Sequence, residues 1–307
     1  TSELPIVITG GQGILLSADA ADAVLDPMTG AYVDGTVIEH TSIRSIDAGF
    51  GAALEVVVSR PLLRHVAIID VDGAGLEVIA DEAPDVRLED ITVVDTSETA
   101  LDVQGGRSAT LERVRVGRVF IADRQGAGLR LEINDRRSTP SEPDIVLIDC
   151  EVDTVSARWG VFAEGGWIET TGMVLENCDG DGLLADCPRF DLNGCRYENN
   201  TTHVNIRSGS GTIRSGVFLR GGTVRVAGAE VIGCRFEDNV NGPALTGATI
   251  IRDSVFLNNR SDGNGGALAL GGFVDLYDNY FEGNAAVRSG AIFANGSVLS
   301  AGNTFVR

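Results

Sequence analysis

The sequence predicts an all-β fold: a single right-handed parallel β-helix of about twelve coils, roughly 23 residues each, with three short strands per coil. Three observations predict it. Apolar residues recur once per coil in fixed columns, short segments alternate with period two, and 39 glycines against 8 prolines mark many tight turns.

Taken in chain order, residues 1–40 are expected to form a cap and the first coil. Ser17 to Leu25 reads as a short capping helix, with Ala18, Ala21, Val24 and Leu25 on one face and Pro27 ending it. Residues 41–307 are expected to form the β-helix. Its repeat is clearest near the end, as CRFEDN at 234–239, SVFLNN at 254–259 and NYFEGN at 279–284. Calling the first motif residue the anchor, the frame extends backwards through Ile46, Val66, Ile91, Val114, Cys150, Cys178, Cys195 and Gly216. Three residues before each anchor stands Leu, Ile or Val in eleven of twelve coils, Ser300 being the exception.

Two residues after the anchor runs a second inward column. It begins Ile68, Val93, Val116, Val152 and continues Tyr197, Phe218, Phe236, Phe256, Phe281, Phe305, with Gly180 breaking the pattern. A third segment alternates as a one-sided strand should, with inward pairs Leu76/Val78, Leu101/Val103, Leu129/Leu131 and Val204/Ile206. The outward residues between these pairs are Glu77, Asp102, Arg130 and Asn205. Strands this short bury their apolar face only by stacking coil on coil, and parallel crossovers are right-handed. The aromatic column is therefore core, and Asn200, Asn239, Asn259 and Asn284 are expected to stack as an amide ladder.

A net charge of −20, with all 24 basic residues arginine, argues against nucleic acid and anionic membranes as partners. No apolar run is long enough to insert in a bilayer. The absence of lysine reads as the codon bias of a GC-rich genome, and it removes a lysine base from any mechanism. A polygalacturonase-like site needs an Asp-Asp pair, Gly-His-Gly and Arg-x-Lys; none occurs. The histidines His40, His65 and His203 fall in different coils, His65 at a turn and His203 at a solvent-facing position beside Val204. Asp179-Gly180-Asp181 with Asp186 reads as a solvated turn. A non-enzymatic chain without cofactor is the main reading. Arginine as a lyase base beside calcium-binding carboxylates is the catalytic alternative.

The five cysteines contain no C-x-x-C pair and no neighbouring histidine, so no metal site is expected. Free buried thiols are the first reading. Bridges Cys178–Cys187 or Cys178–Cys195 are the alternative. For a glycan ligand, the candidates are Arg136 and Arg137 in the insertion at 135–144, together with Trp159 and Trp167, the two tryptophans. The competing reading is that each indole covers a loop base. Asn-x-Thr/Ser triplets start at Asn199, Asn200, Asn259 and Asn295.

Residues 195–305 resemble the repeats of polymorphic outer-membrane proteins and autotransporter passenger domains. The resemblance rests on Gly265-Gly266-Ala267-Leu268 and Ser289-Gly290-Ala291-Ile292, and on Phe236…Asn239, Phe256…Asn259 and Phe281…Asn284. It implies a secreted or surface-displayed bacterial protein, an adhesive or structural rod. The chain stops at Arg307 in mid-coil, so the array is expected to continue, or to dock end to end on another copy or another surface protein.

Overall fold

In a computed structural model the described residues are 6–9, 14–17, 36–57, 61–80, 85–122, 126–133 and 142–307. Every regular element among them is a β-strand, and the coils form a parallel β-solenoid of about 11 turns at about 23 residues per turn. The chain divides into two units, Thr1–Gly166 and Trp167–Arg307. Ile14–Ser17 is a strand paired with Leu54–Val57, so the expected helix does not start at Ser17; residues 18–25 lie outside the described residues.

In the first unit, Ile38, Leu63, Leu88, Leu111 and Leu147 stand in one register. The last four of these are fully buried. Ile43, Ile68, Val93, Val116 and Val152 form the second inward column, and Leu54, Leu76, Leu101, Leu129 and Val161 the third. In the second unit the aromatic column is a stack. Tyr197, Phe218, Phe236, Phe256, Phe281 and Phe305 lie 4.7–5.1 Å apart, their planes within 12° of parallel.

Two rows of left-handed backbone bound each short strand. The residue before the anchor and the residue four after it both have φ near +50° to +68°, as at Asp90 and Asp95, Gly194 and Asn199, or Asp253 and Asn258. Asp, Asn and Gly tolerate that conformation best. Arg113 and Arg118 also occupy it. Each guanidinium grips the aspartate one coil below, Arg113 Nη2 to Asp90 at 3.1 Å and Arg118 Nη2 to Asp95 at 2.6 Å. Those bonds hold both carboxyls below the usual aspartate range.

These rows correct the sequence frame in two coils. Ile43 pairs with Ile68, so the first anchor is Thr41, not Ile46. Leu175 pairs with Tyr197, so the anchor there is Met173, not Cys178. Both slips are five residues, the distance between the two left-handed rows, so the misplaced frame still finds a turn residue in place. Cys178 instead occupies the asparagine position: its backbone N–H donates to Asn200 Oδ1 at 3.0 Å.

All five cysteines are free and buried. No bridge joins Cys178 to Cys187 or Cys195; Cys178 and Cys195 belong to different columns of the coil. Burial pushes the Cys150 and Cys234 thiols up to about 11 and Cys187 to about 12. Thiols raised in this way hold little of the nucleophilic thiolate at neutral pH.

Asn239, Asn259 and Asn284 form the expected ladder. Each side-chain amide donates to a phenylalanine carbonyl and each Oδ1 accepts from the coil before. A second ladder, on the anchor column, was not read from the sequence. Ser254 Oγ, Asn279 Oδ1 and Asn303 Oδ1 accept the N–H groups of Cys234, Ser254 and Asn279.

Candidate functional site

Several outward side chains pair off along ladders, as Asp90 does with Arg113 and Asn177 with Asn199. The third strand of the first unit is different. There the alternation that sends Leu76, Leu101 and Leu129 inward puts Glu55, Glu77, Asp102, Arg130 and Phe162 side by side on the outer face, one per coil. Two residues on, Ile79, Gln104, Glu132 and Glu164 form a parallel outward row.

Gln104 Nε2 donates to Asp102 Oδ2 at 3.0 Å and reaches Glu77 Oε1 at 3.4 Å. Arg130 commits its fork to Glu132, at 2.6 and 3.0 Å, and touches Asp102 only at 3.5 Å. The Asp102 side chain is 13% exposed, against 39% for Arg130. Its second oxygen, Oδ1, is buried and accepts no hydrogen bond among the described residues.

The electrostatics follow from that crowding. Desolvation raises the Asp102 carboxyl above its usual range, and Arg130 and Gln104 only partly offset it. Glu77 is raised as well, first by desolvation and then by the charges of Asp102 and Glu55. Two neighbouring carboxyls that resist ionisation, beside an amide and a guanidinium, offer donors and acceptors along one line. Perturbed groups of this kind concentrate where ligands bind.

Trp159 opens the strand Trp159–Glu164, next to this row. Its ring lies 4.9 Å from that of Phe162, with the Arg158 guanidinium 4.7 Å from its centre. Arg136 and Arg137, in the segment following strand Ala127–Glu132, lie outside the described residues. Trp167, in the second unit, is held in a network of its own. Its Nε1–H donates to Asp191 at 3.1 Å, and Arg189 covers one face of the ring at 3.5 Å.

The acidic run at 179–186 is a solvated stretch, with Asp179 and Asp186 exposed, that also joins inter-coil ladders. Asn205 Nδ2 donates to Asp181 at 3.0 Å and Ser208 Oγ to Asp186 at 2.7 Å. Of the Asn-x-Thr/Ser residues, Asn200 and Asn259 are buried ladder members, 1% and 0% exposed. His40 and His65 stack at 4.8 Å, and His65 takes the left-handed turn conformation. Among the described residues, no group of three or more His, Cys, Asp or Glu is placed to hold a metal ion.

The sequence had placed Glu77, Asp102 and Arg130 outward without giving them a role, because they lie 25 and 28 residues apart. Aligning outward positions coil by coil is the signal that would have found them.

No protein-family model matches the chain, and no curated protein matches it. Among solved structures, the A-module of the mannuronan C-5 epimerase AlgE6 of Azotobacter vinelandii is similar at 11% identity and a TM-score of 0.28. The alignment covers 98% of this chain and 91% of that one. The ORF18 protein of Geobacillus virus E2 is similar at 12% identity and a TM-score of 0.24, covering 93% of this chain and 56% of the other. The parallel β-helix is read from this chain's own strand register.

Proposed function

We propose that this chain is an extracellular or cell-surface β-helix scaffold, non-enzymatic, that binds a glycan along the outward face of the third strand in Thr1–Gly166. The observation that carries the reading is the crowded row Glu77–Asp102–Arg130, with Asp102 Oδ1 buried and unbonded among the described residues. A sugar hydroxyl donates to the Asp102 carboxylate once its side chain turns Oδ1 outward, and the ligand's further hydroxyls find Gln104, Glu77 and Arg130 at strand spacing, about 4.8 Å apart. The half-buried Trp159 and Phe162 supply the apolar contact that glycan faces need.

The test is a glycan array, followed by titration calorimetry of the full chain and its Asp102→Asn and Arg130→Gln variants. Binding that falls at least tenfold in both variants, with folding intact, supports the reading. Undiminished binding in both variants places the ligand elsewhere.

A catalytic reading draws support from the same two neighbouring carboxyls, since acid–base chemistry uses groups raised above the ordinary carboxylate range. Reducing ends or unsaturated sugars released from a bound polysaccharide would decide for it.

A further inference from the structure

The asparagine ladder of the second unit has a gap. Between Asn200 and Asn239 the equivalent position is Gly221, which has no side chain. The space is filled from another part of the coil, by the imidazole of His203. A Cβ on Gly221 would lie 2.3 Å from the His203 ring and 2.6 Å from the Asn200 carbonyl oxygen. His203 is therefore fully buried, not solvent-facing as its place beside Val204 suggested. Period-two alternation begins only at Val204; His203 sits at the corner, where Gly221 leaves room for the ring.

The ladder fixes the state of this histidine. Asn239 Nδ2 donates to Phe218 O at 3.0 Å and Asn259 Oδ1 at 2.9 Å, so Asn239 Oδ1 is the oxygen facing His203. That oxygen accepts from Gly221 N–H at 3.2 Å and lies 2.8 Å from His203 Nε2. Nε2 therefore carries the proton. Nδ1 is bare, buried, and without a partner among the described residues.

The rings around it are Tyr197, at 6.4 Å, and Phe218, at 5.9 Å. Tyr197 is itself buried, and burial raises its phenol. The charged groups on the packed elements have partners of their own or are exposed. Glu198, although its side chain is buried, is engaged by Arg196 and Arg220, Arg235 by Glu237, and Asp181 by Asn205, while Asp238 is exposed at its turn. Among the described residues, no carboxylate is hydrogen-bonded to the imidazole.

We propose that His203 is an acid-sensitive joint in the Trp167–Arg307 unit: protonation at Nδ1 puts an unpaired charge inside the coil stack and opens the contacts between residues 195–205, 216–222 and 234–239. The direction follows from linkage. Burial pushes the folded imidazole from 6.5 down to about 4, with the Asn239 bond a smaller opposing effect. The opened chain therefore takes the proton first. The contribution is complete above about pH 6.5 and is lost as pH falls towards about 4, roughly tenfold in the opening equilibrium per pH unit within that window.

Hydrogen exchange of the full chain tests this, read as protection factors from pH 7 to pH 4.5 in wild type and His203→Gln. The Gln amide can donate to Asn239 and does not titrate. Expected is an acid-induced loss of protection at Val217–Leu219 and Arg235–Glu237, about 100-fold greater in wild type than in the variant. Equal losses in both proteins overturn the proposal. Should His203→Gln fail to fold, the imidazole resonances of wild type decide: a ring still neutral at pH 5 supports the joint, and titration near 6.5 overturns it.

Discussion

The two units close the same coil with different chemistry. In Thr1–Gly166 the anchor column is Thr41, Val66, Ile91, Val114, Cys150, and the column two residues on is aliphatic. The corner position five residues past the anchor is Ile46, Val71, Thr96, Val119 and Val155, in register and buried. In Trp167–Arg307, from Cys195 onwards, the second column is a ring stack, the anchors shrink to Cys, Gly or Ser or become Asn, and asparagine amides hold the corner at Asn239, Asn259 and Asn284. Gly216 shows the exchange of volume: a Cβ there would meet the Phe218 ring at 2.8 Å. Two medium aliphatics, or one ring with a small neighbour, fill the same cross-section at native density. A coil can thus be tied by shape alone or by directional amides. The two solutions should fail differently.

The largest expected effect is at the amide corner. Asn239→Ala would strand the Gly221 N–H, the Phe218 carbonyl and His203 Nε2 together, a cost of about 4 kcal/mol measurable by urea unfolding. A loss under 1 kcal/mol would show that the ladder is ornament on a self-sufficient ring stack. In the first unit, Leu111→Ala leaves a cavity between Leu88 and Leu147 and should cost about 3 kcal/mol.

Asp102→Asn should act in the opposite direction. Its carboxyl is held above the usual range, so between the ordinary aspartate value and the raised one the folded chain binds a proton that the unfolded chain has released. Above that window the folded carboxylate carries the full desolvation penalty. Charge at Asp102 therefore works against folding at neutral pH. The variant should melt a few degrees higher at pH 7. That advantage should vanish as pH falls through the ordinary aspartate value of 3.8. Stability gained as glycan affinity is lost would mark a site strained for binding.

The smallest effect sharpens the contrast between turns. Thr154 is a β-branched residue at φ +54°, where the second unit places Asn177 and Asn199. Thr154→Asn should stabilise by about 0.5–1 kcal/mol, seen as a raised midpoint in urea unfolding.

The ring stack, the Asn239–Asn259–Asn284 ladder and the Leu88–Leu111–Leu147 column were legible because each repeats one residue class at one place per coil. The frame failed at Ile46 and Cys178 because two left-handed rows five residues apart look alike in sequence, and Gly180 breaking its column was the sign of the slip. The second ladder was hidden because Cys234, Ser254, Asn279 and Asn303 share no single residue class. The candidate site was hidden for a different reason: its members come from separate coils, and no local motif joins them.

What the sequence determined by itself is the periodic part. Side chains that must leave water once per turn specify the coil, its inward columns and its turns, since burial of apolar surface depends on residue type and spacing alone. Only the tertiary structure decided which outward groups crowd together and which polar atoms lose their water. Desolvation of Asp102, the missing partner of His203 Nδ1 and the refuge that Gly221 offers that ring are properties of neighbours brought in from other coils. Charge and hydrogen bonding respond to distances of a few ångströms, and only the stacked chain sets those.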